Sequence, residues 1–201
     1  MIGYLPELIK AGVDSLKIEG RMKTALYVAD VARTYRQALD DLAQDPALYH
    51  SRISYYEDQI ARCTHRNFTT GFFFGKPSGQ AQIYESSTYE KPYIFLGIIE
   101  GAAQDEDLSA AEAAASDLPS SLKGMYCLEQ KNKFCVGDRI EIMRPDGRDE
   151  MVQVLAMRDE EGNPMDSCPH PKQRFYVDLG VKLERFDILR MPADGGRVQI
   201  S

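Results

Sequence analysis

The stretch SLKIEGRMK, residues 15–23, places one carboxylate and three cations around a glycine. Glu19 has the chemistry of a general acid or base, or of a group that orients a substrate. Arg21 carries a planar guanidinium that pairs with a carboxylate or a phosphate through parallel hydrogen bonds. Lys23 and Lys17 add positive charge on either side. These residue types predict a site for an anionic substrate, and a purely structural Glu–Arg pair at a strand end is the alternative.

Two further groups of residues are candidates for substrate binding. Thr69 and Thr70 precede Gly71, and hydroxyls beside a glycine either bind phosphate or cap a local turn. Lys133 and Arg139 belong to a larger set of cations that one face of a sheet would gather to contact RNA: Lys131, Lys133, Arg139, Lys172 and Arg174. Acidic residues are interleaved with this set, so an ordinary solvated surface is the alternative to a basic patch.

An aromatic run, Phe72 to Phe74 with Phe68 before it, lies among glycines. Three consecutive phenylalanines cannot all face one side of a strand, so some must pack against a neighbouring layer. The run therefore predicts apolar packing at the junction of two modules. A stacking platform for nucleic-acid bases is the second interpretation.

The elements that position Glu19 follow from the spacing of apolar residues. Residues 5–11 predict a short helix that ends at Gly12, and residues 13–20 predict a buried strand that contains Lys17. A helix followed by a strand is the unit of parallel sheets, which need several such units, so a single unit predicts a piece of something larger. In a parallel barrel the catalytic groups lie at the carboxyl ends of the strands, which is where Glu19 would stand.

A long amphipathic helix is predicted from about Met22 to the residue before Pro46, because apolar residues recur there at helical spacing. Asp30, Arg33 and Asp41 are expected mostly on its solvent side. A further helix is predicted at about 50–63. Together with the strand these helices make up a first domain, residues 1–75.

Beyond residue 92 the chain turns to about six short β-forming runs separated by turn residues. This spacing predicts a small antiparallel β-barrel as the second domain, residues 76–201. The stretch 101–122 holds acidic residues and no basic ones, and we expect a solvated insertion there. The predicted fold class is α+β.

The charge, the cysteine content and the motifs of the sequence argue against several classes of protein. The net charge of −7 argues against a general polyanion-binding protein. Four cysteines without CxxC spacing predict reduced thiols and no metal site. No apolar run is long enough to span a membrane and no secretory signal is present, so a cytoplasmic location is expected. The sequence also lacks an HExxH motif or a readable Ser/His/Asp constellation.

Three stretches together resemble the collagenase-like peptidase family, and within it the tRNA-hydroxylating branch. They are AGVDSLKIEGRMKTALYVADVARTYRQALD, HRNFTTGFFFGKP and QKNKFCVGDRIEIMRPDG. The resemblance implies a (β/α) barrel, of which this chain carries only the end, followed by a small β-barrel. It also implies a function described either as proteolysis or as oxygen-independent hydroxylation of the tRNA wobble uridine, with prephenate as a suggested oxygen donor.

Relatives of this kind often carry four cysteines that bind an iron–sulfur cluster, but the cysteines of this chain do not match those positions. We therefore expect no cofactor in this chain, with a cluster and prephenate belonging to the parent protein. The chain alone is expected to be inactive. It is then either the end of an enzyme or a binding module that recruits tRNA or a protein to a missing N-terminal barrel. A dimerisation element that covers its apolar faces in a homodimer is the third hypothesis.

Overall fold

The computed structural model describes residues 1–63, 70–75, 92–103 and 119–193 of the 201-residue chain. The chain folds as two compact units, Met1–Pro92 and Tyr93–Ser201. The first unit is helical and the second is built on a β-sheet. The mixed helix-and-strand class predicted from the sequence is therefore confirmed.

The described part of the first unit contains four α-helices: α1 (Leu5–Lys10), α2 (Ala25–Gln44), α3 (Pro46–Ser51) and α4 (Ile53–Ala61). Thr24 caps α2, since its hydroxyl oxygen accepts a hydrogen bond from Tyr27 N at 3.2 Å. Asp45 caps α3 by accepting from Ala47 N at 2.8 Å. The region predicted as one helix over 50–63 is divided between α3 and α4 because the backbone turns at Arg52.

Two carboxylates of α2 are buried with cationic partners. Asp41 accepts hydrogen bonds from Tyr56 Oη at 2.5 Å and from Arg52 Nη1 at 2.9 Å. Asp30 is fully buried, and its Oδ1 lies 3.7 Å from Arg33 Nη2. The expectation that Asp30 and Asp41 lie on the solvent side is therefore wrong, because a paired carboxylate can enter a helical core.

The buried strand predicted over residues 13–20 is also wrong. The segment carries no strand in the structure, and Val13, Leu16 and Ile18 are 39%, 37% and 37% exposed. A β-strand needs a neighbour to pair its N–H and C=O groups, and no described segment of the chain pairs with this one. That these residues belong to a (β/α) barrel stays a prediction.

The described part of the second unit contains eight strands: β1 (Tyr93–Ala102), β2 (Tyr126–Glu129), β3 (Arg139–Met143), β4 (Glu150–Gln153), β5 (Ala156–Arg158), β6 (Pro164–Met165), β7 (Arg174–Asp178) and β8 (Ile188–Pro192). They form one antiparallel sheet in the order β4-β3-β8-β1-β2-β7-β5-β6. The described residues therefore hold eight strands, more than the six or so short runs predicted from the sequence.

The connection from β4 to β5 shows that the sheet curls. Only Val154 and Leu155 join these strands, which stand first and seventh in the sheet. So short a connection spans at most about 11 Å, and the two strands must therefore approach each other. Val154 N donates to Asp138 O next to β3 at 3.0 Å, and Leu155 N donates to Asp178 O on β7 at 2.9 Å. The sheet is a curled half-barrel, and complete closure into a barrel stays a prediction.

The concave side of this sheet encloses an apolar core. Its fully buried members include Leu96, Ile99, Leu128, Ile140, Ile142, Phe175, Val177 and Leu189. Alternation along β7 follows the usual period of two, with Phe175 and Val177 inside. Most of the acidic stretch 101–122 lies outside the described residues. No helix in the described part of the chain is long and apolar enough to cross a membrane.

Arg190 on β8 is completely buried and holds three parts of the sheet together. Its Nε donates to Glu141 Oε2 on β3 at 2.7 Å, and its Nη2 donates to Asp149 Oδ2 at 3.0 Å. The ring of Tyr93, on the opposite neighbour β1, has its centroid 4.5 Å from the guanidinium carbon. Because it pairs with Arg190, Glu141 is only 8% exposed, although it alternates along β3 with the buried Ile140.

Replacing Arg190 by methionine is expected to destabilise the second unit by about 3–5 kcal/mol, because two carboxylates lose their buried cation. Native-state hydrogen exchange of β3 and β8 measures this free energy of unfolding separately from that of the first unit.

The matched control is Arg148→Met, since Arg148 pairs with Asp146 on the surface and its side chain is 83% exposed. Its cost is expected to stay within about 1 kcal/mol. Equal effects of the two substitutions would contradict the role assigned to Arg190.

Candidate functional site

Glu19 lies in an exposed segment that short-range contacts organise. Its Oε1 accepts a hydrogen bond from Arg21 N at 2.9 Å. Its Oε2 lies 3.8 Å from Lys17 Nζ, and the two side chains are 70% and 87% exposed. An ion pair this exposed adds little stability, so it leaves the carboxylate available to a substrate. The structure brings the Lys17 ammonium and the backbone N–H of Arg21 to the Glu19 carboxylate, and a shared site for a substrate stays a prediction.

Lys23 lies at the entrance to α2. Its ammonium is 5.2 Å from the centroid of the Tyr27 ring, which provides a negative π-face. A cation at a helix N-terminus is unfavourable by a few tenths of a kcal/mol, so the sequence predicts a compensating partner. The aromatic ring is one such partner.

Gly20 allows the segment to approach α2 closely. A Cβ atom at this position would lie 2.6 Å from Val28 Cγ2, and valine is stiff at χ1 in a helix. Lys23 N also donates to Gly20 O at 2.9 Å, which closes the turn. Gly20 is therefore required by packing, and it fixes Glu19 and Arg21 relative to the start of α2.

A buried polar cluster near Lys23 was not predicted as part of a site. Asp30 and Cys63 are 0% and 1% exposed, and Arg33 Nη2 also reaches Gln59 Oε1 at 3.4 Å. Burial and the nearby Asp30 raise the pKa of Cys63 to about 11, while Lys23 lowers it. The sequence carries one signal for this cluster, because Asp30 shares a helical face with Leu26 and Thr34.

The threonine pair is only partly described. Thr69 lies outside the described residues, whereas Thr70 O accepts from Phe73 N at 3.2 Å and so closes a turn. Phe72, Phe73 and Phe74 are 78%, 52% and 60% exposed. The ring of Phe74 packs against that of Tyr4 at 4.7 Å. Whether these rings contact another module or a base stays a prediction.

In the second unit, cations in and beside the neighbouring strands β2 and β7 lie near one carboxylate, that of Glu129. A hydrogen bond from Lys131 lowers the pKa of Glu129, and the charges of Lys172 and Arg174 lower it further. Lys133 is exposed on the loop that follows β2. We call the residues Lys131, Lys172 and Arg174 around Glu129 the β2–β7 cationic surface.

Arg139 lies apart from this surface along the sheet. It is exposed at the start of β3 and faces Gln153 across the ladder with β4. Two strands, β8 and β1, separate β3 from β2. The sequence-based set of cations is therefore divided between two places in the sheet.

A second cluster lies beside Arg174. Its Nη2 donates to Glu100 Oε2 at 3.0 Å and lies 3.6 Å from Cys127 Sγ. Burial raises the pKa of Cys127 to about 11, and burial together with Cys127 raises the pKa of Tyr176 to about 12. Neither group is ionised near neutral pH.

A cleft of about 540 Å³ in the second unit is lined by charged groups that already pair with each other. Arg144 Nη1 donates to Glu150 Oε2 at 3.0 Å, and its Nε lies 3.9 Å from Asp187 Oδ2. Burial raises the pKa of Asp187. Because both arginines of the cleft, Arg144 and Arg148, have internal carboxylate partners, the cleft is a weaker candidate for an anion site.

Comparison with known proteins identifies the family. The model of peptidase family U32 matches residues 1–83, and the model of the peptidase family U32 C-terminal domain matches residues 114–190. The chain belongs to peptidase family U32. The family resemblance read from the three sequence stretches is therefore confirmed.

Two bacterial relatives align with nearly all of the chain. The tRNA hydroxylation protein P1 of Bacillus subtilis is 30% identical over 94% of the chain and 41% of its own length. The tRNA hydroxylation protein P of Escherichia coli is 31% identical over 91% of the chain and 36% of its own length. The chain thus spans less than half the length of either relative.

Among solved structures, the C-terminal domain of a Geobacillus thermoleovorans U32 protein is 23% identical to the chain. The alignment covers 48% of this chain and 98% of that domain, with a TM-score of 0.36.

Replacing Gly20 by alanine is expected to destabilise the first unit by about 1–3 kcal/mol, because the new methyl group overlaps Val28. The measurement is the free energy of unfolding of α2, obtained by native-state hydrogen exchange.

The double variant Gly20→Ala with Val28→Ala provides the control. Val28 is 41% exposed, so its truncation alone costs little, and it removes the overlapping atom. Most of the lost stability should return in the double variant, and a purely additive loss would contradict the packing argument.

Proposed function

We propose that this chain is the C-terminal part of a protein that hydroxylates tRNA, with the wobble uridine as its target. The observation that carries the proposal is the alignment of the chain, over 94% of its length, with a relative named tRNA hydroxylation protein P1. The chain spans 41% of that relative, so the complete activity belongs to the longer protein.

Glu19 and Arg21 are the groups of this chain that we place in contact with the substrate. Glu19 is exposed, with one carboxylate oxygen 3.8 Å from the Lys17 ammonium, and an accessible carboxylate is a suitable group to accept a proton from a substrate. The Arg21 guanidinium is suited to hold an anionic group, either an RNA phosphate or a carboxylate of prephenate. Lys17 and Lys23 add charge that attracts such a group, and Thr69 and Thr70 are proposed to assist substrate binding.

A thiol-dependent peptidase is less consistent with the three buried cysteines, Cys63, Cys127 and Cys168. A nucleophilic cysteine needs a lowered pKa, whereas burial raises the pKa of Cys63 and Cys127 to about 11 and also raises that of Cys168. The family name keeps proteolysis as the second candidate function, in which the second unit acts as an accessory domain.

The cysteines of this chain do not fit an iron–sulfur cluster. Cys63 donates to Ile60 O at 2.8 Å in the first unit, whereas Cys127 contacts Arg174 in the second. Cys168 lies 3.6 Å from Phe134 O in yet another environment. We propose that a cluster in the full-length protein takes its ligands from residues outside this chain, and we assign it no step here.

The test uses the full-length parent protein in a strain that lacks its own copy of the gene. Glu19→Gln and Arg21→Ala are each expected to lower hydroxylated uridine in tRNA by about 10-fold or more, because each removes a group that contacts the substrate. Mass spectrometry of tRNA nucleosides measures the product.

Lys10→Ala is the matched control, since Lys10 is exposed on the same unit and outside the proposed site. It should leave the level of modification unchanged. Full modification by both site variants would remove Glu19 and Arg21 from the reaction, and peptide cleavage that depends on Glu19 without any change in tRNA would favour the peptidase.

A further inference from the structure

The β2–β7 cationic surface is fixed by backbone pairing. Glu129 on β2 lies opposite Arg174 on β7 in the antiparallel register. The loops beyond them are joined too, since Gln130 N donates to Gln173 O at 2.8 Å and Lys172 N donates to Gln130 O at 3.1 Å. Cations that are distant in sequence therefore occupy one place on a well-ordered sheet.

Positive charge exceeds negative charge at this place. The three cations of the surface face two carboxylates, Glu129 and Glu100, and both carboxylates are already engaged, by Lys131 and Arg174 respectively. Lys172 is exposed on the loop before β7, and Lys133 is exposed further along the loop after β2. A local excess of cations contrasts with the overall charge of −7.

Stability does not explain this arrangement. A lysine–carboxylate pair near the surface contributes at most about 1 kcal/mol. Concentrating three cations costs self-repulsion that a folding role would avoid. An anionic ligand offsets that cost.

We propose that the β2–β7 cationic surface binds the phosphate backbone of RNA, and this inference rests on the proposed tRNA function. Lysines act as mobile point charges for phosphates, and the arginine supplies a planar donor group. Such contacts orient an RNA without reading its bases. The second unit therefore holds the tRNA, and other residues recognise its base sequence. Glu129 moderates the affinity by placing a negative charge at the centre of the surface.

The test measures the affinity of the full chain for tRNA by fluorescence anisotropy. The KCl concentration is varied from about 50 to about 200 mM, a range over which an affinity that comes from phosphate contacts depends strongly on salt. The double variant Lys131→Ala with Lys172→Ala is expected to bind at least about 10-fold more weakly. The slope of log K against log salt should fall by about 1.5–2, because two phosphate contacts are lost.

Two matched variants make the result specific. Lys123→Ala with Lys182→Ala removes the same charge from exposed positions outside the surface, and it should change the affinity by less than about 3-fold at constant slope. Glu129→Gln should instead tighten binding, since it removes the central negative charge. Thermal melting of each variant checks that the fold is retained.

Unchanged affinity and slope in the Lys131/Lys172 variant would overturn the inference. Equal binding of poly-glutamate and tRNA would also overturn it, in favour of an acidic protein partner. The proposed function is judged separately by the nucleoside assay. If the Glu19 and Arg21 variants modify tRNA normally while the surface variant still loses affinity, the RNA surface stands and the assigned reaction site fails.

Discussion

A fully buried guanidinium is the constraint on which the second unit depends. Removing a charge from water costs several kcal/mol, and Arg190 recovers this cost only where Glu141, Asp149 and the ring of Tyr93 surround it. These partners come from β3, from the residue before β4, and from β1. Because the side-chain period of a strand is two, a shift of the register by one residue would separate Arg190 from Glu141. The pairing of β1, β8 and β3 is therefore closely specified.

The rest of the half-barrel follows from that central pairing. β1 positions β2, and β2 in turn pairs with β7, so that Glu129 comes to lie opposite Arg174. The cationic surface thus arises from long-range strand pairing. The first unit differs, because Glu19 and Arg21 owe their arrangement to a local turn, to the cap of α2 and to the close approach of Gly20 to Val28. The proposed acid–base group thus depends on local contacts, and the proposed anion surface depends on long-range pairing.

The sequence predicts those features that depend on local patterns. Helical spacing locates α2, and the short β-forming runs locate strands of the second unit. The sequence fails as a guide where distant residues decide the outcome. Glu141 looks solvent-facing by alternation along β3, yet it is buried beside Arg190 of β8, which alternation alone cannot pair with it. The strand predicted over 13–20 needs a neighbour that the described residues do not supply.

The most direct test of the account is photo-cross-linking of 4-thiouridine-containing tRNA to the full-length protein, followed by mass spectrometry of the linked peptides. The account predicts cross-links in two regions, the segment around Glu19 and the loops that carry Lys131 and Lys172. Saturating unlabelled tRNA should abolish both. Cross-links confined to parts of the protein outside this chain would contradict the claim that its two units handle the RNA.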